Sequence, residues 1–410
     1  MIKFNTMKYL IGFVLFWGQV SMYAQTSSQA ILQHIRVLSN DSLEGRGTGT
    51  QGEKLSMAYI QQQWKKIKLL PKGDGNTYTQ KFSFKSGVHG TGKEGFSHNL
   101  VGYIDNRAAN TIVIGAHYDH LGLGLVSGSL DANPQNKIHN GADDNASGVA
   151  GVIELARYFQ TNNVKEKYNF LFLCFSGEEL GLLGSKYFTE NPTIDLAKIN
   201  FMINLDMIGR LNTSTKGLTV SGSGTSAAFE PLLKRLSNKN LQIKTDSSGM
   251  GPSDHTSFYL KNIPVLHFFT GSHSDYHKPT DDWEKINAEG EREVLNVIIS
   301  LIENLDKQPK LNFLPTKNKS MNASRSFKVT MGVMPSYSSS ELGLKVDGVS
   351  EGKPAHKAGI QAGDLIQQIG DYSIKDIQNY MDALAKFEKG QTVPVKLKRG
   401  VDTVTVSVTF

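Results

Sequence analysis

The chain has 410 residues, of which 39% are hydrophobic and 20% are charged. This length and apolar content are sufficient for two or three domains with real cores, and they exclude a disordered protein. The formal net charge is +6, but lysines and arginines are scattered along the sequence instead of forming one stripe. We therefore expect no nucleic-acid partner, and we interpret the basic excess between residues 307 and 328 as a solvated linker.

The N-terminal segment has the pattern of a secretory signal peptide. Two lysines precede an apolar core at about residues 9–17, and small and polar residues follow up to Ala24-Gln25. The apolar core is too short for a stable membrane span. We expect residues 1–24 to be removed and the mature protein to be exported, to the periplasm or outside the cell, without stable membrane insertion. Cys174 is the single cysteine, so we expect no intramolecular disulfide.

The elements that follow predict an α/β domain. Residues 26–66 are typical of helices on either side of a glycine-rich turn, "SLEGRGTGTQG", and strand-like and helix-like segments then alternate up to about residue 306. This rhythm predicts a mostly parallel, mixed central sheet with helices on both faces. The predicted strands are 111–117, 168–176, 199–207 and 263–271, and the intervening helices include 146–160 and 226–237.

The sequence pattern changes after the last predicted helix. Short alternating strands and glycine turns replace the longer elements beyond residue 308. We therefore predict a first domain at residues 25–307, a linker at 308–325 and a small β-rich domain at 326–410.

Two adjacent carboxylates follow the second predicted strand. Phe170 to Phe175 are apolar throughout, which is typical of a strand covered on both faces, and "SGEEL" then places Glu178 beside Glu179. The carboxyl ends of strands in an open α/β sheet form the edge where ligands bind. The alternative is that both acids open the next helix, where they would favour the positive end of its dipole.

Further polar residues lie at other predicted strand and loop ends. Each has a structural alternative, because an isolated histidine can be a core residue and an aspartate before a helix is usually a cap. His117 and Asp119 are two apart and share one side of an extended chain. The residues are His117 and Asp119 in "GAHYDHLG", Asp143 and Asp144 in "HNGADDNASG", Asp206 in "INLDMIG" and His277 in "SDYHKPTDDW".

Together these residues predict a metal centre. Two imidazoles and three carboxylates suit a pair of Zn²⁺ ions, because zinc accepts nitrogen and oxygen ligands alike. A carboxylate shared by both ions would keep them roughly 3.5–4 Å apart, as in hydrolytic two-metal sites. Asp119 could accept the second ring N–H of His117, and Glu178 would remain free as a base. The five predicted ligands are His117, Asp143, Glu179, Asp206 and His277.

Six motifs in order resemble one enzyme family. Over about residues 28–306, the chain is similar to the co-catalytic di-zinc aminopeptidases of bacterial leucyl-aminopeptidase type, which are related to glutamate carboxypeptidase and the transferrin receptor. The motifs are "GAHYDHLG", "NGADDNASG", "SGEELGLLGS", "NLDMIGR", "GPSDHTSF" and "SDYHKPTDDW".

The resemblance implies a role for each site residue. Asp143 would bridge the two zinc ions, with a cis peptide bond between Asp143 and Asp144. His117 and Asp206 would complete the coordination of one ion, and Glu179 and His277 would complete that of the other. Glu178 would be the general base of an exported exopeptidase, most simply an aminopeptidase acting on peptides. The chain departs from the family near "SSGMGPSDH", where Met250 lies close to the place of a tyrosine that stabilises the tetrahedral intermediate in some relatives.

The C-terminal segment, about residues 326–410, resembles a PDZ domain. The specific signal is "GKPAHKAGIQAGDLIQQIG", which is similar to bacterial protease PDZ domains. The loop formed by Met331, Gly332, Val333 and Met334 would bind a peptide C-terminus through its backbone N–H groups. The alternative is that this domain only packs against the peptidase or has its groove occupied.

Two other functions are compatible with this pattern. One is a catalytically inactive peptidase fold that serves as a PDZ-bearing binding protein, and the other is a glutaminyl-cyclase-like transferase with one zinc. An intact ligand set and an intact Glu178 argue against the first, because an inactive homologue has no need for all six residues. A complete set of five ligands favours two metals and hydrolysis over the second.

Overall fold

The structure is a computed structural model, and it describes most of the chain. The described residues are 26–85, 94–125, 128–131, 133–316, 329–335, 342–349, 352–375 and 377–410. The predicted signal peptide lies outside these ranges, as do residues 317–325 of the predicted linker. Within them, none of the helices combines the length and the apolar character needed to cross a membrane.

Two helices open the first domain, as the sequence predicts. Helix α1 covers Ser28–Leu38 and begins where the Ser27 side chain accepts a hydrogen bond from the backbone N–H of Ala30. Helix α2 covers Gln51–Lys66, and the connecting turn contains residues 41–46. Both helices bury one face in the core, because their apolar residues recur at helical spacing.

A mixed sheet of nine strands among the described residues forms the centre of this domain. Its order is β1-β3-β5-β4-β6-β9-β7-β8, and β2 pairs with β3. The neighbours β5-β4, β4-β6, β6-β9 and β7-β8 are parallel. The strands are β1 Leu70–Pro71, β2 Thr79–Lys85, β3 Glu94–Ile104, β4 Thr111–His117, β5 Asn169–Phe175, β6 Ile199–Leu205, β7 Gly217–Ser221, β8 Gln242–Asp246 and β9 Val265–Phe269.

Helices cover both faces of this sheet, which confirms the predicted fold class. Every residue of β4, β5 and β6 is buried, because side chains on each face meet a layer of helices. One core includes side chains from α1, α2, α3, α5 and α7, and a second includes side chains from α4 and α6. The remaining helices are α3 Gly148–Thr161, α4 Leu183–Glu190, α5 Phe229–Leu236, α6 His255–Tyr259 and α7 Ala288–Leu305.

A second unit has a hydrophobic core of its own. Its antiparallel sheet has the order β10-β11-β12-β14-β15, with β13 paired to β12. Its core contains Met331, Val346, Ile366, Tyr380 and Leu397 among others. The elements are β10 Val333–Pro335, β11 Leu344–Val349, α8 Pro354–Lys357, β12 Leu365–Ile369, β13 Tyr372–Ser373, α9 Ile377–Leu384, β14 Thr392–Arg399 and β15 Asp402–Thr409.

The first part of the predicted linker packs against the first domain. Leu311 is buried in the main core, and its backbone N–H donates to the Asn200 side chain at 2.7 Å. Phe313 contacts the ring of Tyr259 at a centroid separation of 5.4 Å. Residues 308–316 therefore behave as part of the first domain, and we place its end at Thr316.

Candidate metal centre

The first imidazole of the centre lies at the end of a buried strand. His117 is the last residue of β4 and is 1% exposed. Its Nε2 lies 3.3 Å from Asp144 Oδ1 and 3.5 Å from Asp206 Oδ1. Its Nδ1 lies 3.2 Å from the backbone oxygen of Asp119, which favours the tautomer that leaves Nε2 free for a metal.

Asp144, and not the predicted Asp143, occupies the centre of the cluster. Its Oδ2 lies 3.1 Å from His277 Nε2, while its Oδ1 faces His117. One carboxylate thus contacts two imidazoles through different oxygens, which is the arrangement needed to bridge two ions. The cis peptide bond is Asp144-Asn145, one residue later than the resemblance implied.

Asp143 points away from the centre into a network of donors. Its Oδ1 accepts hydrogen bonds from the backbone N–H of Gly209 at 2.7 Å and from Ser147 Oγ at 3.1 Å, and its Oδ2 lies 3.1 Å from His273 Nε2. With those partners, this carboxylate has no oxygen directed at His117 or His277. Asp144, and not the predicted Asp143, is therefore the aspartate whose carboxylate lies between the two imidazoles.

The two adjacent glutamates diverge as the sequence suggested. Glu179 Oε2 lies 3.3 Å from His277 Nε2, whereas Glu178 Oε2 lies 4.0 Å from His117 Nε2. Helix α4 begins only at Leu183, so neither acid belongs to a first helical turn. Asn145 Oδ1 accepts from the backbone N–H of Gly148, the first residue of α3, at 2.9 Å, and the residue that precedes α3 is Ser147.

Sequence reasoning missed one histidine of the cluster. His120 Nδ1 lies 2.7 Å from Glu179 Oε1 and 3.9 Å from Asp144 Oδ2, and these three residues form one group of potential ligands. A second group contains His117, Asp144 and Asp206. His120 follows the end of β4, where the two-residue alternation used for His117 and Asp119 no longer applies. Its presence in "GAHYDHLG" was the available signal.

Asp119 has a different partner from the one predicted. Its carboxylate accepts hydrogen bonds from Thr48 Oγ1 at 2.8 Å and from the backbone N–H of Glu178 at 3.2 Å. The distance from its Oδ1 to His117 Nδ1 is 3.8 Å, so the His117 ring is oriented mainly by the backbone oxygen of Asp119. The carboxylate thus positions the backbone of the proposed base.

The charges of the cluster fit a site for cations. Burial, together with Glu179 and Asp206, raises the pKa of Glu178 well above its usual range. Burial alone would lower the pKa of His117, but Glu178 and Asp206 raise it well above its usual range. The acids of the cluster are buried or half-buried and share few positive partners here, and charges removed from water need such partners. The oxygen and nitrogen donors suit zinc, and bound cations would supply the missing positive charge.

Two buried side chains support the loops that carry the ligands. Arg46 donates to the backbone oxygens of Tyr118, Asn140 and Gly141 at 2.9, 2.6 and 3.0 Å. Asp281 Oδ2 accepts from the backbone N–H of the residues at 143 and 144, both at 3.0 Å. Both supports join segments that are distant in the chain, so no local sequence pattern predicts them.

Comparison with known proteins identifies the two units. Residues 99–302 match Peptidase family M28, and residues 328–410 match the PDZ domain. Residues 99–302 belong to peptidase family M28. The predicted family and the C-terminal PDZ domain are thereby confirmed.

Curated relatives share the M28 part of the chain. Leupeptin-inactivating enzyme 1 of Streptomyces exfoliatus is 28% identical over 63% of this chain and 51% of its own length. Aminopeptidase YwaD of Bacillus subtilis is 26% identical over 48% of this chain and 42% of its own. The chain thus spans about half the length of the curated relatives it matches.

Solved structures share the fold of the M28 domain. LapA aminopeptidase of Legionella pneumophila has a TM-score of 0.52 at 21% identity, covering 69% of this chain and 73% of its own. Glutaminyl cyclase of Porphyromonas gingivalis has a TM-score of 0.56 at 21% identity, covering 68% of this chain and 99% of its own. At these identities the likeness concerns the fold alone.

Proposed function

We propose that the chain is an exported zinc aminopeptidase that removes N-terminal residues from peptides and carries two zinc ions. One observation carries this proposal: the Asp144 carboxylate faces His117 with one oxygen and His277 with the other. Asp206 lies beside the first imidazole and Glu179 beside the second. A symmetrical pair of ligand sets around one carboxylate is what two co-catalytic ions require.

The ligand assignment follows from these contacts. His117 and Asp206 would bind one ion, Glu179 and His277 the other, and Asp144 both. When bound, the ions supply Lewis acidity toward the peptide carbonyl and lower the pKa of water. Gly128 supports this arrangement, because its backbone oxygen lies 2.8 Å from His277 Nδ1 and leaves Nε2 for the metal.

Glu178 would serve as the general base. Its neighbour Glu179 lies 2.7 Å from His120 Nδ1 and 3.3 Å from His277 Nε2. The only histidine that Glu178 approaches among the described residues is His117, whose Nε2 lies 4.0 Å from its carboxylate. A free carboxylate in this place can accept the proton of the attacking water and deliver it to the leaving amine. Asp119 positions this residue through the backbone N–H of Glu178.

The names of the relatives support a peptidase over the two alternatives. Several matched proteins are named as aminopeptidases, and LapA shares the fold. Glutaminyl cyclase shares it too, so the fold by itself does not separate the two reactions. The paired ligand sets around Asp144 favour the two-metal hydrolase.

Metal analysis combined with two activity assays tests the proposal. We expect close to two zinc ions per chain, hydrolysis of aminoacyl 4-nitroanilides, and loss of this activity on chelation with recovery on zinc addition. One zinc per chain with cyclisation of N-terminal glutamine would instead establish the transferase. Two zinc ions without turnover of any anilide would favour the inactive binding protein.

The PDZ domain would bind a peptide C-terminus at residues 331–334. Strand β10 begins at Val333 and pairs with β11, and Gly332 has a φ of 75° that gives the preceding loop its turn. Titration of labelled peptides that end in a free carboxylate, against the same peptides with an amidated end, tests this site. Equal affinity of both forms would contradict it.

A further inference from the structure

One wall of the pocket beside the metal centre is a face of the central sheet. Strands β7 and β9 are antiparallel, with Thr219 opposite Phe269 and Ser221 opposite His267, and all four residues line the pocket. Alternate residues of a strand point to opposite faces. The residues that alternate with these four point to the opposite face of the sheet, where Leu218, Val220 and Phe268 are buried in the main core.

A polar row crosses this wall from the sheet edge toward the metal centre. Asp246, at the end of β8, is in register with Ser221 on β7, and Ser221 is in register with His267 on β9. His267 is in register with Asn204 on β6, whose Nδ2 lies 3.2 Å from His267 Nδ1. Asn204 precedes the proposed ligand Asp206 by two residues. Strands are about 4.8 Å apart, so Asp246 lies roughly 10 Å from the β9 backbone.

Away from the metal centre, three apolar side chains contribute to the other walls of this pocket: Met207, Met250 and Pro252. His255, Ser272 and Tyr276 line these walls as well. A side chain entering from the metal centre would therefore meet apolar surface along its length and polar groups toward β8.

The far end of the pocket carries a negative charge. Asp246 is exposed, and its Oδ1 accepts a hydrogen bond from the backbone N–H of Ser248 at 3.2 Å. None of the described residues that line the pocket is a lysine or an arginine. Burial lowers the pKa of His255 and of His267, so both are neutral at pH 7 and do not offset this charge.

We propose that this pocket selects peptides whose N-terminal residue is lysine or arginine. The aliphatic part of such a side chain would pack on Met207, Met250 and Phe269, and its cationic end would reach Asp246 near solvent. Long basic side chains favour this division between an apolar path and a polar, hydrated end. The inference rests on the proposed aminopeptidase function, because that reaction places the first side chain beside the metal centre.

A matched pair of substrates measures how much the positive charge of the substrate side chain contributes to kcat/KM. Lysyl and norleucyl 4-nitroanilide have side chains of similar length and differ in the terminal ammonium group. We expect kcat/KM to be about five- to tenfold higher for the lysyl substrate, between the effect of an exposed ion pair and that of a charge-assisted hydrogen bond. The preference should shrink as ionic strength rises, because salt screens exposed charges.

Asp246→Asn is the decisive variant. Asparagine keeps an oxygen that can accept from Ser248, so the local turn is preserved while the charge is lost. The ratio of lysyl to norleucyl kcat/KM should fall to near unity. Asp195→Asn is the control, since Asp195 is also exposed and accepts a backbone N–H two residues later, from Ala197, but does not line the pocket. It should keep the full preference.

A binding measurement separates this inference from the proposed function. Calorimetric titration of the zinc-loaded protein with lysinamide and norleucinamide should show the same preference, again lost in Asp246→Asn. If no anilide is hydrolysed but this difference persists, the proposed reaction fails and the pocket assignment stands. Equal binding and equal turnover of both side chains, or a preference that Asp246→Asn leaves intact, would overturn the inference.

Discussion

At the residue scale, two neighbouring aspartates have different environments. Asp144 contacts His117 and His277, whereas Asp143 accepts hydrogen bonds from Gly209 and Ser147. The first is therefore expected to bind metal and the second to position the loop that follows Asp206.

Substitution by asparagine separates these two roles. Asp144→Asn should lose most of the bound zinc, because a neutral amide is a weak ligand for two cations. Asp143→Asn should retain more than half, since its amide oxygen can still accept from Gly209. Zinc content after gel filtration checks both. Loss of both ions only in Asp143→Asn would restore the assignment made from the resemblance.

The adjacent glutamates give a second pair of matched variants. Glu178→Gln should keep its zinc and lower kcat by roughly 10²–10⁴-fold, the usual effect of removing a positioned general base. Glu179→Gln should weaken the binding of one zinc ion, because Glu179 contacts both His277 and His120. Zinc titration and anilide kinetics check the pair. The reversed pattern would show that the two roles had been exchanged.

At the element scale, Glu154 joins helix α3 to helix α1. This buried carboxylate binds Arg157 at 2.8 Å, and His34 Nε2 of α1 lies 3.6 Å away. Burial alone would raise the pKa of Glu154, but the nearby His34 ring and the hydrogen bonds from Arg157 lower it to about 2. The folded state therefore favours the charged form.

This shift predicts the pH dependence of a variant. The pKa of Glu154 is lower in the folded state than in the unfolded state. The charged carboxylate therefore stabilises the folded protein fully above about pH 5, and this contribution is lost as the pH falls toward 2. Glu154→Gln should lower the free energy of unfolding by about 2–3 kcal/mol at pH 7 and by less at pH 4. Urea unfolding at both pH values checks this, with Glu190→Gln, at the exposed end of α4, as control. An equal loss at both values would contradict it.

Sequence periodicity predicted the buried elements better than those at the sheet edge. Strand β4 begins and ends as predicted, and β5, β6 and β9 differ by at most two residues at either end. Strands β7 and β8 were not predicted, because β8 is exposed or half-buried throughout and β7 alternates polar with apolar residues over only five positions. The polar row of the pocket depends on these two strands.

At the scale of the whole molecule, the M28 domain and the PDZ domain have separate cores. The segment 308–316 belongs with the first of these. Leu311 is 9% exposed, and the backbone N–H of Leu314 donates to the oxygen of Thr225 at 2.9 Å.

Two truncations test this boundary. A chain of residues 26–316 should remain folded, keep its zinc and hydrolyse anilides, whereas residues 26–307 should be less stable by at least about 2 kcal/mol, the value of burying one leucine. Thermal unfolding and zinc content compare the two chains. Equal stability would place the boundary at Lys307, and unfolding of both would mean that the domains depend on each other.

The sequence by itself determined which strands are buried. A strand made only of apolar residues is stable where other elements keep water from both of its faces, whichever elements these are. It also determined that histidines and acids follow those strands, which predicted the metal centre and the family. Only the tertiary structure decided which of Asp143 and Asp144 faces the imidazoles, and that His120 joins them. Both outcomes depend on backbone direction beyond the strand ends, where no periodicity applies and partners come from segments distant in the chain, such as Gly209 for Asp143 and Glu179 for His120.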